Sequence, residues 1–247
     1  MTQKYNLGYV HNGFITDEHG FDKDDTLNKF NNLIELYSYN KSDFDETRHV
    51  IHFTEDVLKY IQNNPANDKD ILLVIPGAHL YIDSNPSLLD DLYPVKFSWV
   101  DDTLNSETQI AFHIRRGYDV TRTANSDRFI EVSHYLEYIK ELRKIMNKPY
   151  RIHLFSKNEI LEELQNINID NDIVLHIGEN VIDTFKSLVN CDILFTSPSS
   201  FSYTAAMLRR KGLVLYNPFW HSYPSKHLCL HSPSDIITHK DYILKHI

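Results

Sequence analysis

In the second half of the chain, short apolar runs alternate with segments whose apolar residues recur at helical spacing. Thr108 to Ile114, Arg151 to Phe155, Asp172 to Ile177, Asp192 to Thr196 and Leu213 to Tyr216 read as short strands, apolar enough to be buried on both faces. Between them, Ser133 can cap a helix to about Met146, with Tyr135, Ile139 and Leu142 on one face. Lys157 or Asn158 opens a short helix through Leu161 and Leu164. Asp183 lies before or within the start of a helix to about Val189. Ser199 or Ser200 caps a helix to Arg210, with Gly212 as its stop. That makes about four β-α-β steps between Thr108 and Tyr216, the pattern of an open parallel sheet with helices on both faces. Residues Ser234 to Ile247 read as one partly apolar helix.

The first half is less regular. Helical patterns run from Asp25 or Thr26 to about Tyr37, and from Thr54 to a stop before Pro65. Asp70 to Ile75 reads as a buried parallel strand, and Phe97 to Val100 as a further one. The polar segment Asp101 to Glu107 marks the expected boundary between residues 1–107 and 108–247. The expected fold class is therefore α/β.

In open parallel sheets, ligands sit beyond the carboxyl ends of the strands. Two polar stretches fall there. Ile110 to Asp119, IAFHIRRGYD, runs from an apolar strand into Arg115, Arg116 and Gly117. Paired guanidiniums near a core lose hydration unless anions replace it, and arginine grips phosphate oxygens in a fork that lysine cannot reproduce. His113 and Arg115, two residues apart in an extended strand, point one way and Arg116 the other. Arg116 is equally well read as structural, bound to carbonyls or a carboxylate, and His113 as an interior histidine. The second stretch, Thr196 to Thr204, TSPSSFSYT, opens a helix whose first N–H groups suit an anion, while Ser199 or Ser200 serves equally as an ordinary cap. Asp119, Asp127 and Glu131 are candidate bases or mere partners of Arg122 and Arg128, with Asp83 and Asp90 further off.

Composition narrows the function classes. The net charge of -9, with 25 basic residues against 34 acidic, disfavours general nucleic-acid binding but allows a locally basic cleft. Basic residues gather at Arg115-Arg116, Arg122, Arg128 and Arg209-Arg210-Lys211. Two cysteines, Cys191 and Cys229, are too few for a disulfide framework. With no apolar stretch of membrane-spanning length and no secretion signal, the expected location is cytoplasmic. The P-loop, dinucleotide and nucleophile-elbow signatures are all missing, and His227-x-x-x-His231 has no further ligand beside it, so no metal is expected.

The motifs together resemble a known superfamily. His113-Ile114-Arg115-Arg116-Gly117 resembles the His-x-Arg-Arg-Gly-Asp motif of the α1,2-, α1,6- and protein O-fucosyltransferases. Asp183 to Asp192 resembles their aspartate-led helix, and Ser197-Pro198-Ser199-Ser200-Phe201-Ser202-Tyr203 their serine-rich segment. Leu213 to Trp220 is similar to the strand that follows. The resemblance implies a GT-B-like fold with residues 1–107 on the acceptor side and 108–247 binding a nucleotide sugar. It implies inverting, metal-independent transfer of a sugar, foremost L-fucose from GDP-fucose, to a glycan hydroxyl in a soluble bacterial or viral-type enzyme. Arg115 would grip the β-phosphate, with Arg116 supporting it or holding the motif loop. Ser199, Ser200 and Phe201 would lie at the phosphates, and His113 and Asp183 would position the nucleotide. Asp119 would be the base, although Tyr118 stands where the motif has its aspartate. Tyr118, Trp99 or Trp220 would stack on an acceptor sugar. The alternatives are another donor, such as a xylose or rhamnose nucleotide, and a non-catalytic nucleotide- or glycan-binding protein.

Overall fold

A computed structural model describes residues 99–100, 106–124, 126–165, 169–221 and 227–247, with the backbone of residues 50–52 and 72–74. The chain divides into two compact units, Met1–Leu88 and Leu89–Ile247. In the first, strands β1 (Val50–His52) and β2 (Leu72–Val74) pair in parallel, so the DILLVI run does contain a parallel strand. The helices expected before Pro65, and Asp83 and Asp90, lie outside the described residues.

The second unit is an α/β domain. Its elements are β3 (Thr108–His113), α1 (Val132–Ile145), β4 (Tyr150–Ser156), α2 (Leu161–Leu164), β5 (Ile173–Ile177), α3 (Val181–Asn190), β6 (Ile193–Phe195), α4 (Ser200–Leu208), β7 (Leu213–Tyr216), β8 (Leu228–Cys229), α5 (Asp235–Thr238) and α6 (Lys240–Lys245). The strands form one parallel six-stranded sheet in the order β5-β4-β3-β6-β7-β8. Counted from β3, this is the 3-2-1-4-5-6 order of a Rossmann-like domain, whose winding reverses between the first and fourth strands. Here the reversal falls between β3 and β6.

Alternate strand residues feed two layers. Ile110 and Phe112 of β3, Ile152 and Leu154 of β4, Ile193 and Phe195 of β6 and Leu213 and Leu215 of β7 are buried with Tyr135, Tyr138, Ile139 and Leu142 of α1. Phe112 and Phe195 stack at 4.9 Å between ring centroids. Each fully buried Ile or Leu in this layer contributes roughly 1.5–3 kcal/mol. His113 faces the opposite layer, where its ring meets Phe201 of α4.

Several ends differ from expectation. Helix α1 starts at Val132 with Glu131 as its flanking residue and no side-chain cap, so Ser133 is within the first turn. Helix α3 is capped by Asn180, whose Oδ1 accepts from Ile182 N at 2.9 Å, and Asp183 lies within its start, in the first turn, as expected. Helix α4 stops at Leu208, where Arg209 turns extended, so Gly212 is not its stop. Gly212 has φ +69°, and a Cβ there would lie 1.9 Å from the Asp192 carbonyl oxygen. Only glycine lets the chain pass that close on its way into β7. The C-terminal helix is two short pieces, α5 and α6, hinged at His239. Trp99 and Val100 are not in a strand.

Candidate functional site

The loops after β3 and β6 meet at the winding reversal. The side chains of His113 and Ser197 join across it, with His113 Nδ1 and Ser197 Oγ 2.7 Å apart. Both residues are buried. Burial, reinforced by the neighbouring Arg115 charge, pushes the His113 pKa down to about 3, so the imidazole is neutral at ordinary pH. With Nδ1 engaged by Ser197, Nε2 is the ring nitrogen left for a ligand.

Ser197 belongs to a turn that the sequence already marks as hydroxyl-rich. Ser202 Oγ sits inside it, accepting from Ser197 N at 3.3 Å and donating toward the Ser197 and Ser199 carbonyls. Ser199 is the cap of α4, its Oγ accepting from Phe201 N at 3.3 Å. Ser200 is exposed and its Oγ lies 3.2 Å from His221 Nε2. Phe201 packs between His113 at 5.4 Å and Phe185 of α3 at 5.3 Å. Asp183 is exposed in the first turn of α3, and no hydrogen bond ties it to His113 or Arg115.

Arg115 and Arg116, both beyond the end of β3 at His113, turn to different partners. Arg115 stays with His113 and is only 9% exposed. Its Nη2 donates to both Asp119 oxygens, at 2.6 and 2.5 Å, and its Nη1 to the Arg116 carbonyl. Gly117 makes room for this pair: a Cβ there would lie 2.8 Å from Asp119 Oδ1 and 3.0 Å from Arg115 Nη1. Arg116 turns the other way. Its Nε and Nη2 grip Glu163 of α2 at 2.5 and 2.7 Å, and the remaining bonds go to the Arg115 and Ile130 carbonyls at 2.8 Å. The guanidinium also lies 4.0 Å from the centroid of Phe129.

A cavity of about 710 Å³ opens on the Arg116 side, not the Arg115 side. Tyr118, Phe129, Glu131, Glu159, Glu162 and Glu163 are among its lining residues. Arg122 is paired there with Glu131 at 2.9 Å, as Arg116 is with Glu163. Carboxylates outnumber guanidiniums on its wall, so it repels a phosphate.

One residue that sequence reasoning left among the basic spots takes a central place. Arg128 follows Ser126 in a short 3-10 turn and donates from Nε to the Pro198 carbonyl at 3.2 Å. Its guanidinium lies 4.9 Å from the Trp220 ring centroid. Arg128 therefore ties the loop after β3 to the loops after β6 and β7. Nothing in the local pattern signals this, because the contact joins loops of neighbouring strands whose residues are 70 positions apart in sequence. The other basic spot, residues 209–211, precedes β7 and so lies at the amino end of the sheet. Arg209 is fully buried, donating to the Leu188, Cys191 and Asp192 carbonyls and closing the end of α3.

His227 and His231, four residues apart, flank strand β8 and do not share a helix. Among the described residues, no group of three His, Cys, Asp or Glu is arranged to hold a metal, and no helix is long and apolar enough to cross a membrane. Compared with known proteins, the chain matches no family model, no curated protein and no solved structure.

Proposed function

We propose that residues 108–247 bind a nucleoside-diphosphate sugar and that the protein is an inverting glycosyltransferase, with GDP-fucose as the first donor to test. The observation that carries this reading is the His113–Ser197 hydrogen bond across the winding reversal, with Arg115 directly beyond it. A neutral donor and a guanidinium thus converge at the edge where this sheet order binds phosphorylated ligands. The proposal carries with it the GT-B organisation that the resemblance implies.

In the reaction, an acceptor hydroxyl oxygen attacks the anomeric carbon from the face opposite the diphosphate. The carbon–oxygen bond to the β-phosphate breaks, and its electron pair leaves on the phosphate oxygen. Arg115 stabilises that growing charge, which lowers the barrier because the donor is already oriented. Guanidinium charge supplies what a divalent metal would otherwise supply. The acceptor proton goes to a carboxylate. Asp119 would first have to release Arg115, which holds both its oxygens, so its fitting part is to orient Arg115. The same fork favours a second reading, nucleotide binding without turnover.

A panel of GDP-, UDP- and CMP-sugars with an oligosaccharide acceptor, read by release of nucleoside diphosphate, tests the proposal. Release from GDP-fucose supports it, and release only from a UDP- or CMP-sugar replaces the donor. Tight GDP binding with no release from any sugar selects the second reading. Activity that vanishes with a chelator and returns with a divalent cation would overturn the metal-independent chemistry.

A further inference from the structure

The sequence offers Arg116 either as a support for Arg115 at the phosphate or as a holder of the motif loop. We infer instead that Arg128, not Arg116, is the second guanidinium, so that a diphosphate lies between Arg115 and Arg128 beyond the carboxyl ends of β3 and β6. For its ligand class this rests on the reading above.

Arg116 has little left to offer an anion. Its Nε, Nη1 and Nη2 all donate within the protein, one face lies against Phe129, and it is 3% exposed. To meet a phosphate it would have to abandon Glu163, leaving a carboxylate whose side chain is 11% exposed without its counter-charge. Arg128 has the opposite arrangement. Among the described residues its one hydrogen bond is from Nε to Pro198, so the fork of Nη1 and Nη2 carries no protein acceptor. Neither Nη is a buried atom, so both face solvent. Pro198 at its edge and Trp220 at its face fix the guanidinium before any ligand arrives, which reduces the ordering cost of binding.

Arg128 also shares the field of Arg115. Burial first, and then the Arg115 charge, lowers its pKa, while Asp119 and Asp127 oppose the shift. Pro198, which Arg128 holds, follows Ser197, and Ser197 meets His113 two residues before Arg115, so the two guanidiniums belong to one edge. A diphosphate brings two phosphoryl groups, one for each fork, and relieves the repulsion that the neighbouring carboxylates only partly offset. Arg128 holds the Pro198 carbonyl, one residue before the cap of α4, so the ligand would also meet the start of that helix.

The test is calorimetric titration of the full chain with inorganic pyrophosphate and with GDP, at two salt concentrations. Arg128→Gln should raise both dissociation constants by at least about tenfold, on the scale of losing a charge-assisted hydrogen bond. It should also flatten their salt dependence. Arg122→Gln removes an equal charge from the exposed Glu131 pair and should leave both within about twofold. Arg128→Lys should recover part of the loss, having the charge without the fork. Equal affinity in Arg128→Gln and wild type overturns the inference. So does weakened binding with unchanged salt dependence, which marks Arg128 as only a clasp on the Pro198 loop. A wild type that binds neither probe overturns both this inference and the transferase reading. Arg128-dependent pyrophosphate binding with no sugar turned over supports the site and removes the transferase.

Discussion

Arg115 and Arg116 are joined by one peptide bond and are both buried, yet they sit in two different regions of the domain. Arg116 is tied to Glu163, which is 47 residues away in sequence, and faces a carboxylate-rich cavity. Arg115 is tied to Asp119, four residues on, in the loop at the winding reversal. The side chains of the first pair are 2% and 11% exposed, whereas those of the second are 10% and 22% exposed. Breaking a pair strands its partner, and the cost depends on whether water reaches that partner. The Asp119 carboxylate is twice as exposed as that of Glu163, so water screens the first pair more than the second. The comparison teaches that two adjacent buried arginines differ in how far water reaches their counter-ions.

The strongest way to break that contrast is Arg116→Ala, which should cost about 3–5 kcal/mol of stability by urea denaturation because Glu163 is left unpaired. Replacing both partners, as Arg116→Met with Glu163→Leu, should recover most of it. A loss below about 1 kcal/mol for Arg116→Ala would show that water reaches the pair after all. Arg115→Ala should do the reverse, leaving the melting temperature nearly unchanged while cutting turnover roughly 100- to 1000-fold. Unaltered turnover would remove Arg115 from the leaving-group site.

His113 sharpens the same side of the contrast. Its folded pKa of about 3 is below the ordinary 6.5, so the unfolded chain binds the extra proton between those values. Stability from this residue is therefore complete above about pH 6.5 and falls as pH drops toward 3, by up to about 1.4 kcal/mol per pH unit. His113→Gln should flatten the acid limb of the stability curve relative to wild type. Coincident acid limbs would mean that the imidazole is hydrated. The smallest effect belongs to Ser199→Ala, which should lower stability by about 1 kcal/mol through loss of the α4 cap. The denaturation midpoint reads it directly, and an unchanged midpoint would assign Ser199 no capping part.

The alternation of strand and helix from Thr108 to Tyr216 was legible because each strand is a short apolar run bounded by breakers and each helix has its own period. Element ends were less legible. Cap identity depends on which of several neighbouring polar side chains reaches an N–H, as Asn180 does for α3. Strand β8, of two residues, carried no period to read.

By its own residue pattern the chain determined the α/β class, the edge at which polar loops gather and the presence of a guanidinium beyond β3. Those are local properties, set by hydrophobic period and by alternation along a strand. Which arginine is spent on the protein, and which on a surface open to a ligand, was decided only by tertiary structure. Glu163 reaches Arg116, and Pro198 and Trp220 reach Arg128, across the strand order, and such long-range pairing leaves no mark in the sequence around any one of them.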